Sequence, residues 1–227
     1  SVVLETTVAG RRFEIEVEPV GQDPLTIQPQ TESGNYFNTQ ERRVRSFQWV
    51  ESISLTRHWR GEHVIKTGAD VQWARFEGSS ESHPVEVRRI DGTLAERTIF
   101  GGLTQQEVAG TEVALFGQDR WRAGSRLTME LGLRVDRDPI THRYNWSPRA
   151  GAAITVLPEG RAIIRGGYGK FVSRTALNIV AFPQYESRVV RRFAADGVTP
   201  LGPAVAFANA ISGDLRTPEA DVGNVEW

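Results

Sequence analysis

The residues best suited to metal or acid–base chemistry are four histidines, His58, His63, His83 and His142. A zinc site needs three or four ligands at short, recurring spacings. Only His58 and His63 lie close together, flanking one turn, and no carboxylate spacing completes a set with them. They read as solvated or interfacial side chains. Glu14, Glu16 and Glu18 repeat at every second position and would share one face of a strand. Paired carboxylates could do acid–base work or bind calcium. Their alternation with Phe13, Ile15 and Val17 favours a simpler reading, a charged face turned to a hydrated interior. Asp136-Arg137-Asp138 lacks the twelve-residue geometry of a calcium loop and reads as a solvated loop entry.

Other strings invite chemistry and fall short of it. Gly166-Gly167-Tyr168-Gly169-Lys170 has the glycines and lysine of a phosphate loop but not the G-x-x-x-x-G-K-[ST] spacing, and no helical pattern follows. Arg188, Arg191 and Arg192 form a basic patch in the longest loop; contact with an anionic glycolipid or ligand is one reading and a solvated loop the plainer one. No Ser/His/Asp constellation or nucleophile elbow is present. The chain is therefore expected not to be an enzyme. No catalytic, cofactor-binding or metal-binding residue is assigned, no cofactor is expected, and the substrate-binding residues are left open. A net charge of -1 with both signs interspersed argues against a nucleic-acid partner. The absence of cysteine excludes disulfides and Cys-ligated metals.

The elements that carry these residues show period-2 alternation. Leu127, Met129, Leu131, Leu133 and Val135 fall on one face of a strand, and Arg126, Thr128, Glu130, Arg134 and Asp136 on the other. The pattern recurs over 13–18, 47–59, 65–73, 149–156 and 164–168. Short turns are expected at Ala9-Gly10-Arg11, Arg60-Gly61-Glu62, Arg122-Ala123-Gly124-Ser125 and Leu157-Pro158-Glu159-Gly160. They alternate with long connections over Pro19–Arg45, Gly78–Gly110, Asp138–Pro148 and Lys170–Thr217. A small hairpin about Asp91-Gly92 is expected inside the second of these.

No apolar run approaches the ~20 residues of a membrane helix. A mean hydropathy of -0.35 does not exclude a barrel, where only alternate strand residues face lipid. Strand runs of roughly 12–16 residues exceed the ~5–6 usual in globular proteins and suit a membrane-crossing strand. Aromatics gather near strand ends: Trp59 and Trp121 beside short turns, Phe47, Trp49, Trp73, Phe76, Tyr168 and Phe171 towards long loops. The fold expected is all-β: an antiparallel transmembrane β-barrel segment of about nine long strands, with short periplasmic turns and long extracellular loops.

Several strings resemble the barrel strands of TonB-dependent receptors. Glu112–Trp121 resembles the family's "LxxYxQDxW" strand and Leu127–Arg137 the strand after it. Ser147–Gly151 resembles "SPRxG", Arg165–Phe171 "RxGYGxF", Leu215–Pro218 "LxTP", and Gly61–Asp70 "GxHxxKxGxD". The order and spacing of these strings cover about 46–227. The nearest likeness is to large receptors with an N-terminal carboxypeptidase-regulatory-like domain.

The resemblance implies a bacterial outer-membrane protein. Its partners would be outer-membrane lipid, a TonB complex acting through a plug, and an unknown small ligand. It also implies energised uptake of a bulky ligand such as a siderophore, oligosaccharide or peptide. Residues 1–227 are expected to be part of one such barrel domain, with the plug and further strands outside them. In that bacterial setting the sequon Asn145-Trp146-Ser147, followed at once by Pro148, is expected to stay unmodified. The alternatives are a small self-contained outer-membrane barrel, porin or adhesin, and a soluble all-β binding module.

Overall fold

The computed structural model describes residues 1–157 and 162–227. In chain order its strands are β1 (Val2–Val17), β2 (Leu25–Gln28), β3 (Thr31–Ser33), β4 (Asn38–His58), β5 (Glu62–Ser82), β6 (Val85–Arg88) and β7 (Leu94–Gly101). They continue with β8 (Gln105–Ala123), β9 (Leu127–Arg137), β10 (Tyr144–Leu157), β11 (Ala162–Val172), β12 (Ser187–Arg192), β13 (Val205–Phe207) and β14 (Glu219–Glu226). One turn of helix, α1 (Leu177–Val180), precedes β12. No described helix is long and apolar enough to cross a membrane.

Eight strands form one sheet in the order β1-β4-β5-β8-β9-β10-β11-β14, with β1 and β14 at its edges. Every neighbouring pair is antiparallel. The pairing sets the two faces. Leu55, Ile65, Asp119, Leu131, Ala150 and Tyr168 stand side by side in one cross-strand row on the apolar face. Val50, Asp70, Ala114, Asp136 and Asn145 form a row on the polar face. Leu115, Leu131 and Leu133 are exposed. Few apolar side chains are buried, because one sheet presents its greasy side outward instead of folding it onto a second layer.

The turn between β4 and β5 is tight. Trp59 N–H donates to Gly61 O at 3.0 Å, Arg60 has φ 50° and Gly61 φ 127°. A Cβ on Gly61 would lie 2.4 Å from Arg122 O, so both the conformation and the space call for glycine. The β8–β9 connection is equally short, with Gly124 at φ 79°. The turn expected at Leu157–Gly160 falls on Pro158, Glu159 and Gly160, outside the described residues.

Two local expectations are corrected. Ala9-Gly10-Arg11 is not a turn: β1 runs straight through it, pairing without interruption from Val2–Leu55 to Val17–Gln40. Gly10 is absent from the positive-φ positions, so here glycine is simply a strand residue. The eight-stranded sheet follows from that fusion of two expected short strands into one. The long connections are also shorter than expected. β4 begins at Asn38, β5 continues to Ser82, and β10 begins at Tyr144, which leaves only 138–143 as the connection after β9. The β4 and β5 extensions are largely polar on both faces, so alternation does not reveal them; backbone pairing and the Asn38 bonds to Ser80 and Ser82 hold them.

The remaining long connections fold on each other. They build a six-stranded sheet in the order β13-β12-β7-β6-β2-β3, drawn from three separate stretches of chain. All its pairs are antiparallel except β2–β6. The expected hairpin about Asp91-Gly92 is present as β6–β7. Asp91 Oδ1 caps it, accepting from Thr93 N–H at 2.9 Å and Thr93 Oγ1 at 2.7 Å.

Candidate functional site

On the polar face a charge network crosses β5, β8 and β9. Alternation turns Asp70, Glu112, Arg134 and Asp136 to one side, and the register then brings them together. Arg134 donates through Nη2 to Asp70 Oδ2 at 3.0 Å and through Nε to Asp136 Oδ1 at 2.7 Å. Gln48 on β4 donates to the other Asp70 oxygen at 2.8 Å. The Asp70 side chain is only 6% exposed. A carboxylate so buried is tolerable only when its oxygens are bonded, and here both are.

A second arginine arrives from the β11–β12 connection. Arg174 donates through Nε to Glu112 Oε1 at 2.9 Å and through Nη2 to Asp70 Oδ2 at 3.4 Å. Next to it, Thr175 Oγ1 donates to Asp138 Oδ2 at 2.8 Å. Asp138 also accepts the Ile140 and Thr141 N–H groups at 2.7 and 2.9 Å. Burial pushes the Asp138 carboxyl up, but the Thr141 and Ile140 N–H groups and the Thr175 hydroxyl outweigh it and hold it below its ordinary value. Ten residues on, Gln184 brackets the Glu107 backbone: its Oε1 accepts from Glu107 N–H at 2.7 Å and its Nε2 donates to Glu107 O at 3.2 Å. Residues 173–184 are thus strapped across the polar face at both ends.

Beneath the strap lies an open groove of about 420 Å³. Phe13, Ile15, Val44, Phe76 and Leu177 make its apolar lining, and Arg42, Glu112 and Arg174 its charged rim. A Cβ on Gly110 would meet Pro139 Cγ at 2.9 Å and Leu177 Cδ2 at 3.9 Å, which shows how closely strap and turn approach the sheet. The arrangement combines an apolar floor with fixed charges of both signs. It can hold an amphiphilic group, and it contains no aligned nucleophile and base.

The structure disperses most of the residues singled out from sequence. Phe13 and Ile15 line the groove, so Glu14 and Glu16 lie on the opposite face. The charged interior face expected from the glutamates is therefore reversed: β1 is in register with Val44 and Arg42 of β4 through its apolar residues. Glu14 instead meets Arg12 at 2.6 Å and Arg43 at 3.2 Å. Gly166–Lys170 is uninterrupted strand within β11. His63 shares the apolar face with Asp119, to which its Nδ1 is bonded at 2.7 Å, and stacks on Trp121 at 5.5 Å. His142 sits in the 138–143 turn at φ 55°. Arg188, Arg191 and Arg192 do not form one patch. Arg188 lies over Phe207, Arg192 meets Glu96 at 3.2 Å, and Arg191 points to the other side of the sheet opposite Arg97.

The sequence signalled Asp70, Arg134 and Asp136 as polar-face residues through alternation. It gave no sign of Arg174 or of Glu112 as its partner. Trp121 holds its expected place at the end with short turns, where Nε1 donates to Arg60 O at 3.1 Å.

A long-stranded antiparallel sheet, greasy on one side and salt-bridged on the other, with turns at one end and structured loops at the other, is the wall of a transmembrane barrel. The model of the TonB dependent receptor-like β-barrel matches residues 10–219, and the chain belongs to that family. It is 26% identical over 163 residues to the TonB-dependent transporter Oar of Myxococcus xanthus, covering 58% of this chain and 15% of that protein. It superposes on the outer membrane transporter YddB of Escherichia coli with a TM-score of 0.60 at 14% identity, over 86% of this chain and 30% of that one, a likeness of fold. The chain therefore spans far less than the full length of either. Its setting is the bacterial outer membrane, with the apolar face to lipid and the polar face to the lumen.

Proposed function

We propose that the chain is a stretch of the barrel wall of a larger TonB-dependent receptor that takes up a bulky ligand by energised transport. In this reading residues 1–227 belong to one barrel domain, completed by strands and a plug outside them. The plug couples to an inner-membrane TonB partner, and the work is transport, not catalysis. The observation that carries the reading is the strap: a connection from the loop end that enters the lumen and is held by Arg174 on Glu112 and Asp70. A lumen fitted with side chains of both signs and an apolar floor suits a passage that handles an amphiphilic solute.

The test compares compounds depleted from the medium by cells with and without the receptor, each with and without a protonophore. A compound whose depletion needs both the receptor and the proton gradient supports transport. Depletion indifferent to the protonophore for every receptor-dependent compound leaves a binding or adhesion role instead.

A further inference from the structure

Four ionisable side chains line the groove beneath the strap, Arg42, Glu112, Asp138 and Arg174, and one of them is uncompensated. Glu112 accepts from Arg174 at 2.9 Å, and Arg174 also reaches Asp70. Asp138 is bonded to the Ile140 and Thr141 N–H groups and to the Thr175 hydroxyl. Arg42 has no such partner. Its cross-strand neighbours are Ile15 and Gly78, and its same-face neighbours along β4 are Gln40 and Val44. The carboxylates nearest in sequence, Glu14 and Glu41, pair with Arg43 on the other face. Among the described residues Arg42 is in no ion pair.

The other end of the groove holds an unmet acceptor. Gln72 lines it, and Gln72 Oε1 is buried without a hydrogen-bond partner among the described residues. A buried acceptor is costly to leave unmet. Gln72 is in register with Gln48, six residues along β4 from Arg42, so about 20 Å of strand separates the two groups. Phe13, Val44, Phe76 and Leu177 fill the interval with apolar surface.

We infer that the groove binds a carboxylate-headed acyl chain that carries a hydroxyl or amide N–H donor beyond its apolar part. The assignment rests on reading this face as the lumen of a transporting barrel. The carboxylate lies on the Arg42 guanidinium, whose fork matches two oxygens. The chain covers the apolar floor, and the distal donor satisfies Gln72 Oε1. One guanidinium balances one negative charge, which favours a carboxylate over a phosphate monoester. A hydrophilic anion would leave the floor uncovered, and a cationic amphiphile would leave Arg42 unpaired. A groove of about 420 Å³ is of the size that takes one small ligand.

Photolabelling of the whole receptor in isolated outer membranes, with a diazirine-bearing ω-hydroxylated dodecanoate and residue-resolved mass spectrometry, provides the test. Labelling is expected at Phe13, Val44, Phe76 and Leu177 and is competed away by the diazirine-free acid. Probe dissolved in the bilayer marks exposed side chains of the lipid face such as Phe47 and Trp73, which gives an internal background. Arg42→Gln should lower groove labelling about tenfold against that background, and Arg42→Lys should retain most of it. In Gln72→Leu the hydroxylated acid should lose its advantage over plain dodecanoate. If Arg42→Gln does not reach the membrane, the methyl ester of the probe is used on the unaltered receptor, where it should label the groove about tenfold less than the acid. Groove labelling that is equal for acid and ester, unchanged in Arg42→Gln, or absent beside a normal background overturns the inference. Labelling needs no proton gradient. Energised depletion with an unlabelled groove therefore strikes this site alone, and a labelled groove without energised depletion strikes the transport reading alone.

Discussion

Arg174 Nε lies 2.9 Å from Glu112 Oε1, joining a loop to a wall strand 62 residues earlier in the chain. The bond matters because Glu112 has a second cation in reserve: Arg134 Nη2 stands 3.8 Å from the same oxygen. Arg134 also keeps Asp70 and Asp136 when Arg174 is removed. Arg174→Ala should therefore loosen the near end of the strap without disturbing the wall, while Gln184 keeps its hold on Glu107 at the far end. Hydrogen exchange in the receptor is expected to rise over 173–180 and stay unchanged over β8 and β9. Loss of protection in those wall strands would show that Arg174 is an integral part of the wall.

Arg134→Ala should behave oppositely. It leaves Asp70 and Asp136 short of their principal partner in a site where Asp70 is 6% exposed. The cost is put at about 2–4 kcal/mol, somewhat under the range for fully buried pairs because Arg134 is itself partly exposed. Urea titration of folding into vesicles measures it, and a change within error of Arg174→Ala would contradict the assigned hierarchy.

Gly68 has no room for a side chain. A Cβ there would lie 2.3 Å from Glu51 O and 2.7 Å from Phe116 Cζ. Gly68→Val is expected to lower stability by about 1–3 kcal/mol through forced displacement of the β4 backbone. The paired change Gly68→Val with Phe116→Ala should recover only part of this, since the ring can yield and the carbonyl cannot. Full recovery would place the clash on Phe116 alone.

In the loop sheet, Asp196 closes the turn before β13. Its Oδ1 accepts from Val198 and Thr199 N–H, and Oδ2 from the Thr199 hydroxyl. The hydroxyl bond first, then the two N–H bonds, lower its carboxyl from 3.8 to about 2. Because the folded value is the lower one, the turn's stabilisation is complete above the ordinary value and is lost as pH falls through the folded one. Pepsin cleavage at the Phe193–Ala194 bond, beside the turn, should accelerate between pH 4 and pH 2 beyond the enzyme's own profile. In Asp196→Asn that acceleration should vanish, and its persistence would assign the change to another group.

The strands that cross the bilayer were legible because their chemistry repeats with the backbone period. Leu127 to Val135 could sit no other way with lipid on one side and Arg134 and Asp136 on the other. Where polar residues occupy both faces, as at Asn38–Arg43 and Gly78–Ser82, the same strands carry no alternation and read as loop. Gly10 misled for a related reason: glycine marks a turn only where φ is positive, and φ is not written in the residue name. The glutamates at 14, 16 and 18 revealed the alternation but not which face was inward, since here it is the apolar Phe13 and Ile15 that line the groove. The strap was illegible because Arg174 finds Glu112 and Asp70 through the register of strands distant in sequence.

The sidedness of the wall is the claim on which the transport reading depends. The chain contains no cysteine, so single cysteines placed successively at 127–136 report it directly. In intact outer membranes, with any cysteine elsewhere in the receptor removed, a water-soluble maleimide should label positions 128, 130, 132, 134 and 136 and spare 127, 129, 131, 133 and 135. Uniform labelling, or protection of the even-numbered positions, would contradict a wall with lipid on one face and a hydrated lumen on the other.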